Sequence, residues 1–333
     1  MGLSRDVAEQ YCREYPNAKT HTLSRKLYEE NKKVYPTVNA ARCAINKVRG
    51  KMGDRFRGID KRNGNDALHQ EAVLHSSPFE ALPDPIADFS ECRPYIVGGK
   101  RILVLSDIHF PFHDKEALII ALEHGRKMDV DEILLNGDIL DCYALSRFVT
   151  DPRLRDFGKE LAQTKAFLHL LREQFPKATI RYRRGNHELR YENWMFVKAP
   201  EILGIKEVFE MKAILGLDNL GISWHDERDY WKVGRLNIVH GHEFGRGGGV
   251  NAARWLFLKA KSTSMCGHFH RVDSHSGRDM EGKITSTWTT GCLCGLSPDY
   301  LRYNEWSHGF AYIESDGHNF AAHNHRIIDG KVY

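Results

Sequence analysis

The sequence predicts an α/β protein that carries a small all-α domain at its N-terminal end. Three observations lead there. Five short apolar runs of β character each stop at a motif built from Asp, His, Asn and Gly. The first two runs are joined by a stretch with helical spacing, and the first 62 residues read as three short helices.

In the first helix Val7, Tyr11 and Tyr15 recur every four residues. In the second, Leu23 and Leu27 share a face after a cap at Thr22. A turn from Asn31 to Pro36 leads to the third, where Pro36-Thr37 makes the start and Ala41, Ile45 and Val48 form the apolar stripe. This helix is expected to display Asn39, Arg42, Asn46, Lys47 and Arg49 on or near its outer side. Residues 1–62 hold 15 Lys and Arg against 7 Asp and Glu, a net of +8, whereas residues 63–333 are at −4. A short basic helix after a turn is how helix-turn-helix proteins offer a reading surface to the major groove. Arg42, Lys47 and Arg49 are therefore candidate nucleic-acid contacts. The competing reading is a helical packing or dimerisation module with a solvated charged face.

Residues 63–94, with Ser76-Ser-Pro78 and Leu82-Pro-Asp-Pro85, show no sustained period and read as a linker. The strands follow in residues 95–333. Ile102–Leu105 leads into Asp107-Ile-His109, and Ile133–Leu135 into Gly137-Asp138. Ile180–Tyr182 leads into Gly185-Asn-His-Glu188, Leu236–Val239 into His240-Gly-His242, and Ser264–Cys266 into Gly267-His-Phe-His270. Between the first two, Lys115–Lys127 places Leu118, Ile119 and Leu122 at helical spacing. That is a βαβ unit, which argues for parallel strands in one sheet with the motifs beyond their carboxyl ends, where ligands bind.

The motifs have the chemistry of a metal centre. Divalent Mn, Fe and Zn take imidazole nitrogen mixed with carboxylate or carbonyl oxygen. An Asp-x-His at a strand end puts both side chains on one side of the pleat, since the period is two. Asp107 and His109 fit that rule, as do His268 and His270. A lone Asp-x-His carries no information. Five such motifs in order, each at a strand-to-loop junction, are hard to obtain by chance. Arg184, Arg190 and Tyr191 flank the Asn186 motif and can steady a substrate. Gly245-Arg-Gly-Gly-Gly249 can bring backbone N–H groups to a phosphate or form a plain turn. Cys292-Leu-Cys294 has no second pair and reads as buried thiols.

On these five motifs the chain resembles the calcineurin-like metallophosphoesterases, from about Tyr95 onward. The resemblance implies a four-layer α-β-β-α sandwich around two divalent ions, manganese first, with iron or zinc as alternatives. It implies one ion on Asp107, His109, Asp138 and His270, and the other on Asp138 as bridge, Asn186, His240 and His268. His187 would be the catalytic histidine that protonates the leaving oxygen, and Asp141 the carboxylate that orients it. One departure narrows the class. Phosphoserine and phosphothreonine phosphatases of this superfamily follow Gly-Asp-x-x-Asp with Arg-Gly, and here Cys142-Tyr143 stands in that place.

Two divalent ions against two carboxylates leave the site net positive, suited to a phosphate anion and a bridging hydroxide. Metal coordination brings the pKa of water from about 16 towards 7, and paired ions steady both entering and leaving oxygens. His187 is then the acid. Joined to the basic module, this predicts a phosphodiesterase acting on nucleic acid, a nuclease, with Arg184 as a candidate substrate contact. Chains of this layout also resemble those encoded by bacteriophages. The alternative is a phosphomonoesterase or small-molecule phosphodiesterase whose N-terminal module binds protein. A non-enzymatic regulator is disfavoured by the complete ligand set. The absence of an 18-residue apolar run and of a signal-peptide pattern, with seven scattered cysteines, places the expectation in a reducing cytoplasm with no membrane partner.

Overall fold

The computed structural model describes residues 3–49, 92–226, 228–245, 247 and 249–333. They belong to two compact units divided between Phe89 and Ser90. Residues 50–62 and most of the expected linker lie outside the described residues.

The first unit is three helices, α1 (Leu3–Glu14), α2 (Thr20–Glu30) and α3 (Val38–Val48). Leu23, Leu27, Tyr35, Ala41, Ile45 and Val48 are buried, as the sequence pattern required for α2 and α3. On α1 the innermost stripe is Ala8 and Cys12, and Val7, Tyr11 and Tyr15 pack partly buried beside it. Small side chains occupy the close contact while the larger rings cover its edge. Thr37 caps α3, its Oγ1 accepting the Ala40 N–H at 3.1 Å. Thr22 is no cap: α2 already starts at Thr20, and Lys19 at its N-cap makes no side-chain bond.

Arg49 also departs from expectation. It is buried, with its guanidinium donating to the carbonyls of Ala18 and Tyr15 and to Thr20 Oγ1. The side chain therefore ties the end of α3 to the α1–α2 turn instead of facing outward. Asn39, Arg42 and Lys47 are exposed and Asn46 is half-buried.

The second unit contains strands β1 (Arg93–Ile96), β2 (Arg101–Leu105), β3 (Glu132–Asn136), β4 (Thr179–Arg183), β5 (Ile222–His225), β6 (Asp229–Val233), β7 (Leu236–Val239), β8 (Ser264–Cys266), β9 (Val272–Arg278), β10 (Ile284–Thr290), β11 (Gly309–Ser315), β12 (Phe320–Ile328) and β13 (Lys331–Val332). Its main helices are α4 (Lys115–Lys127), α5 (Phe157–Gln174), α6 (Glu188–Lys198) and α7 (Ala252–Ala260). One sheet runs β13-β12-β11-β2-β3-β4-β5, with β2 to β5 parallel. The other runs β1-β6-β7-β8-β10-β9. Arg93 and Pro94, assigned to the linker from sequence, pair with Asp229 and Tyr230 in β1.

The layers follow from the period of two. On β2, Leu103 and Leu105 join the core that contains Leu118, Phe167 and Leu168 from the helices. Ile102 and Val104 point the other way, into a core shared with Trp231, Ile238 and Met265 of the second sheet. Helix α7 covers that sheet through buried Ala252, Ala253 and Leu256, and Thr287 of β10 donates to the Ala253 carbonyl at 2.7 Å. The result is the α-β-β-α sandwich.

Two details differ from the expectation. The buried stripe of α4 is Ala117, Leu118, Ala121 and Gly125, and Ile119 is exposed. Gly125 lets the helix come close to Leu103 of β2. The strands before the motifs also do not share one sheet. β2, β3 and β4 lie in the seven-stranded sheet, whereas β7 and β8 pair in parallel in the six-stranded one. Among the described residues no helix is long and apolar enough to cross a membrane.

Candidate metal centre

The loops after β2, β3, β4, β7 and β8 bring the predicted residues into one cluster. Asp107, His109, Asp138, His268 and His270 all lie beyond their strands in the left-handed region, at φ of 55°, 56°, 54°, 68° and 57°. Asp107 and His109 therefore converge through left-handed backbone, not through the strand pleat. Such conformations are uncommon for non-glycine residues and persist where surroundings over-determine them. Here the Asp107 N–H donates to the Gly137 carbonyl at 3.1 Å and the His109 N–H to the Asp138 carbonyl at 3.0 Å. The Leu293 N–H closes on the Asp107 carbonyl at 3.0 Å.

The cluster has two halves. In one, His270 Nε2 is 3.2 Å from Asp107 Oδ1 and 3.1 Å from His109 Nε2. In the other, His240 Nε2 is 3.1 Å from Asp138 Oδ2 and 3.3 Å from Asn186 Oδ1. His268 groups with Asp138 and His240. Asp138 Oδ2 is also 3.9 Å from His109 Nε2, so one oxygen faces both halves. Its other oxygen accepts the His187 N–H at 2.8 Å.

The outer nitrogens are already committed. His240 Nδ1 donates to the Asn136 carbonyl at 2.7 Å, which turns Nε2 inward. His109 Nδ1 stands 2.9 Å from Asp141 Oδ2. A histidine backed by carbonyl or carboxylate is the usual support of a metal ligand. The donor set, buried imidazole and carboxylate with Nε2 atoms turned towards one another, is suited to divalent cations.

The electrostatics agree. Burial opposes ionisation of Asp107 and Asp138, yet the facing histidines, His270 and His240 foremost, hold both carboxyls low. Burial likewise opposes a charged His240 and His270, but Asp138 and Asp107 push them up to about 10 and about 9. His268, penalised by burial and then by His240, falls to about 4. Two buried carboxylates are drawing positive charge to themselves.

His187 Nδ1 is 2.9 Å from the Asp141 carbonyl and 3.3 Å from Asp141 Oδ2. Asp141 thus backs both His187 and His109, a double position that its place in the motif does not reveal. Two further carboxylates were missed from sequence. Glu188 accepts the N–H groups of Asp138, Ile139, Leu140 and Gly185 and the Tyr182 hydroxyl, at 2.8–3.0 Å. Glu243 accepts the His240 and Gly241 N–H groups at 3.0 and 2.6 Å. Glu188 closing one motif and Glu243 directly after another were the available signal.

Among the proposed substrate contacts, Arg184 is ion-paired with Glu192. Arg190 instead reaches Asp141 and His187. Arg42 and Lys47 belong to the helical unit. Cys292 and Cys294 are buried free thiols, with Cys294 Sγ 3.9 Å from His270 Nδ1. Trp306 walls the site, its ring centroid 4.1 Å from that of His270.

With this fold and cluster, the chain belongs to the calcineurin-like phosphoesterase family, whose model matches residues 100–288, more than half of its length. It is a metallophosphoesterase, a hydrolase of phosphate esters, of a family that binds paired metal ions. It is similar to the Gene 54 proteins of two mycobacteriophages. The match to that of phage L5 is 24% identical over 251 residues, covering 70% of this chain and 96% of the relative. The match to that of phage D29 is 26% identical over 252 residues, with the same coverage. Among solved structures it is similar to Vacuolar Protein Sorting 29 from Cryptosporidium parvum, at 14% identity and a TM-score of 0.39, covering 71% of this chain and 95% of that one.

Proposed function

We propose that the chain is a phosphodiesterase of nucleic acid whose centre takes two divalent ions, manganese first among them. Asp107, His109, Asp138 and His270 would hold one ion, and Asp138, Asn186, His240 and His268 the other. The observation that carries the two-ion centre is Asp138 Oδ2, a single buried oxygen facing His240 and His109 from opposite halves of the cluster. Two such ions, when bound, supply Lewis acidity at the phosphoryl group and an acidified water.

The remaining work falls to side chains. His187 delivers the proton to the leaving oxygen. Burial opposes its charge, whereas Asp138 and then Asp141 raise its pKa. Asp141 fixes the ring through Nδ1 and leaves Nε2 as the working atom. The net +8 of residues 1–62, with Arg42 and Lys47 exposed on α3, supports phosphate contacts from the N-terminal module. Residues 1–62 guide the substrate, and the second unit, which already includes Arg93 and Pro94 in β1, cuts. Arg49 drops out of the substrate set because it is committed inside α1–α3. All seven cysteines are free, which fits a reducing compartment.

The test is manganese-dependent hydrolysis of single- and double-stranded DNA beside nitrophenyl phosphate mono- and diesters, with Asp138→Asn as the control. DNA cleavage absent from the control supports the nuclease. Arg42→Glu with Lys47→Glu should then weaken DNA binding and flatten its salt dependence by about two phosphate contacts. Hydrolysis of the small esters alone would sink the nucleic-acid assignment and keep the phosphoesterase.

A further inference from the structure

Arg190, in the first turn of α6, folds its guanidinium back over Asp141 and His187. Nη1 lies 3.3 Å from Asp141 Oδ1 and 3.2 Å from the Asp141 carbonyl, and Nη2 lies 2.9 Å from His187 Nε2. About a fifth of the side chain, 22%, remains exposed. The neighbouring arginines are placed otherwise. Arg183 is buried over Trp231 with Glu243 beside it, and Arg184 pairs with Glu192.

A guanidinium has five hydrogens to give and no lone pair to accept with. The partner at Arg190 Nη2 is an imidazole nitrogen, not a carboxylate. On the reading above, that same nitrogen gives its proton to the leaving oxygen. With Nδ1 donating to the Asp141 carbonyl, a neutral His187 accepts from Arg190 at Nε2, and once Nε2 carries the proton it delivers, two donors meet at one point of the site. The group that accepts from both is an oxyanion.

We propose that Arg190 is a substrate-binding residue that grips a phosphoryl oxygen beside His187 Nε2. This rests on the phosphoesterase reading. Asp141 anchors one Nη while the other leaves His187 for the incoming anion. The bond formed is charge-assisted, the kind in which arginine and phosphate are best matched. Asp141 then has three dependants, His109, His187 and Arg190, and positions a ligand, the acid and the anion grip together.

The experiment measures inorganic phosphate binding by calorimetry to the manganese-loaded full-length protein, with manganese per chain determined alongside. Arg190→Gln and Arg190→Ala should weaken phosphate binding by about 10- to 100-fold, the range for a hydrogen bond to a charged partner. Arg190→Lys should recover part of the loss. In hydrolysis assays the same variants should show a raised inhibition constant for phosphate. Phosphate affinity within twofold of wild type in a metal-replete Arg190→Gln protein would overturn the proposal. Should Arg190→Ala shed metal, the Gln and Lys variants decide. The two readings separate cleanly: wild-type hydrolysis tests the phosphoesterase centre, and phosphate affinity of the variants tests Arg190.

Discussion

Replacing Glu188 with Gln removes one oxygen acceptor and changes almost nothing else in shape. Glu188 Oε1 accepts from Ile139 N, Leu140 N and Tyr182 Oη, and Oε2 from Asp138 N and Gly185 N. Every partner is a donor. Burial and then the Asp138 charge raise the Glu188 pKa, and the N–H groups work against that rise. In Glu188→Gln the amide NH₂ must replace one oxygen. Its less damaging position is that of Oε2, where it turns donors on the Asp138 and Gly185 N–H groups. Each buried N–H left without an acceptor costs about 1–3 kcal/mol, so the pair costs about 2–6 kcal/mol. For a domain of this size that lowers Tm by roughly 4–24 °C, at about 2–4 °C per kcal/mol. Because the disturbed amides carry Asp138 and flank Asn186, manganese content should fall as well. The assay is thermal unfolding with metal analysis, using Glu192→Gln as reference. Glu192 forms a half-exposed pair with Arg184, and its loss should cost under about 1 kcal/mol. A Glu188→Gln protein melting within 2 °C of the reference, fully metallated, would refute the reasoning.

Two other outcomes follow from the same loops. In Gly185→Ala the added Cβ would run into the Asp138 carboxylate and its amide, so manganese binding and hydrolysis should both drop at least tenfold while the far core is unaffected; normal metal stoichiometry would contradict this. Burial pushes buried Glu160 up to about 7, against the Ala144 and Tyr143 N–H groups. Its folded value exceeds the ordinary 4.5, so its contribution is complete below about 4.5 and lost as pH rises through about 7. The loss is at most about 3 kcal/mol, and Glu160→Gln should flatten the stability profile across that window. An unchanged slope in urea titrations would remove Glu160 as its source.

Much of the fold was legible because strand and motif were contiguous. Ile102–Leu105 and Lys115–Lys127 appear as β2 and α4, and Thr37 caps α3. What sequence could not supply was long-range pairing. Nothing local distinguishes Leu236–Val239 as a strand of a different sheet from Ile180–Tyr182; the partners of each decide it. The same holds for Arg49, whose charge reads as solvated until the carbonyls of Tyr15 and Ala18 are brought to it. Asp107-x-His109 was noticed for a pleat that is absent, since alternation is a rule of strands and these residues lie past one. The roles of Glu188 and Glu243 were not legible because most of their partners are backbone amides, which every sequence contains. Arg190 was seen as a flank of its motif, but its contact with Asp141 crosses 49 residues.

The division of the cluster between two sheets gives it a mechanical meaning. His109 and His270 are 161 residues apart, and His240 is tied to an amide plane 104 residues upstream. On the proposed ligand set, each ion would gather side chains from distant points of the chain, as a cross-link does. Closing such loops is costly for an unwound chain and free for one already folded. The ions would therefore act as rivets through the sandwich. Prying the sheets apart and emptying the centre would be one event, with one free energy.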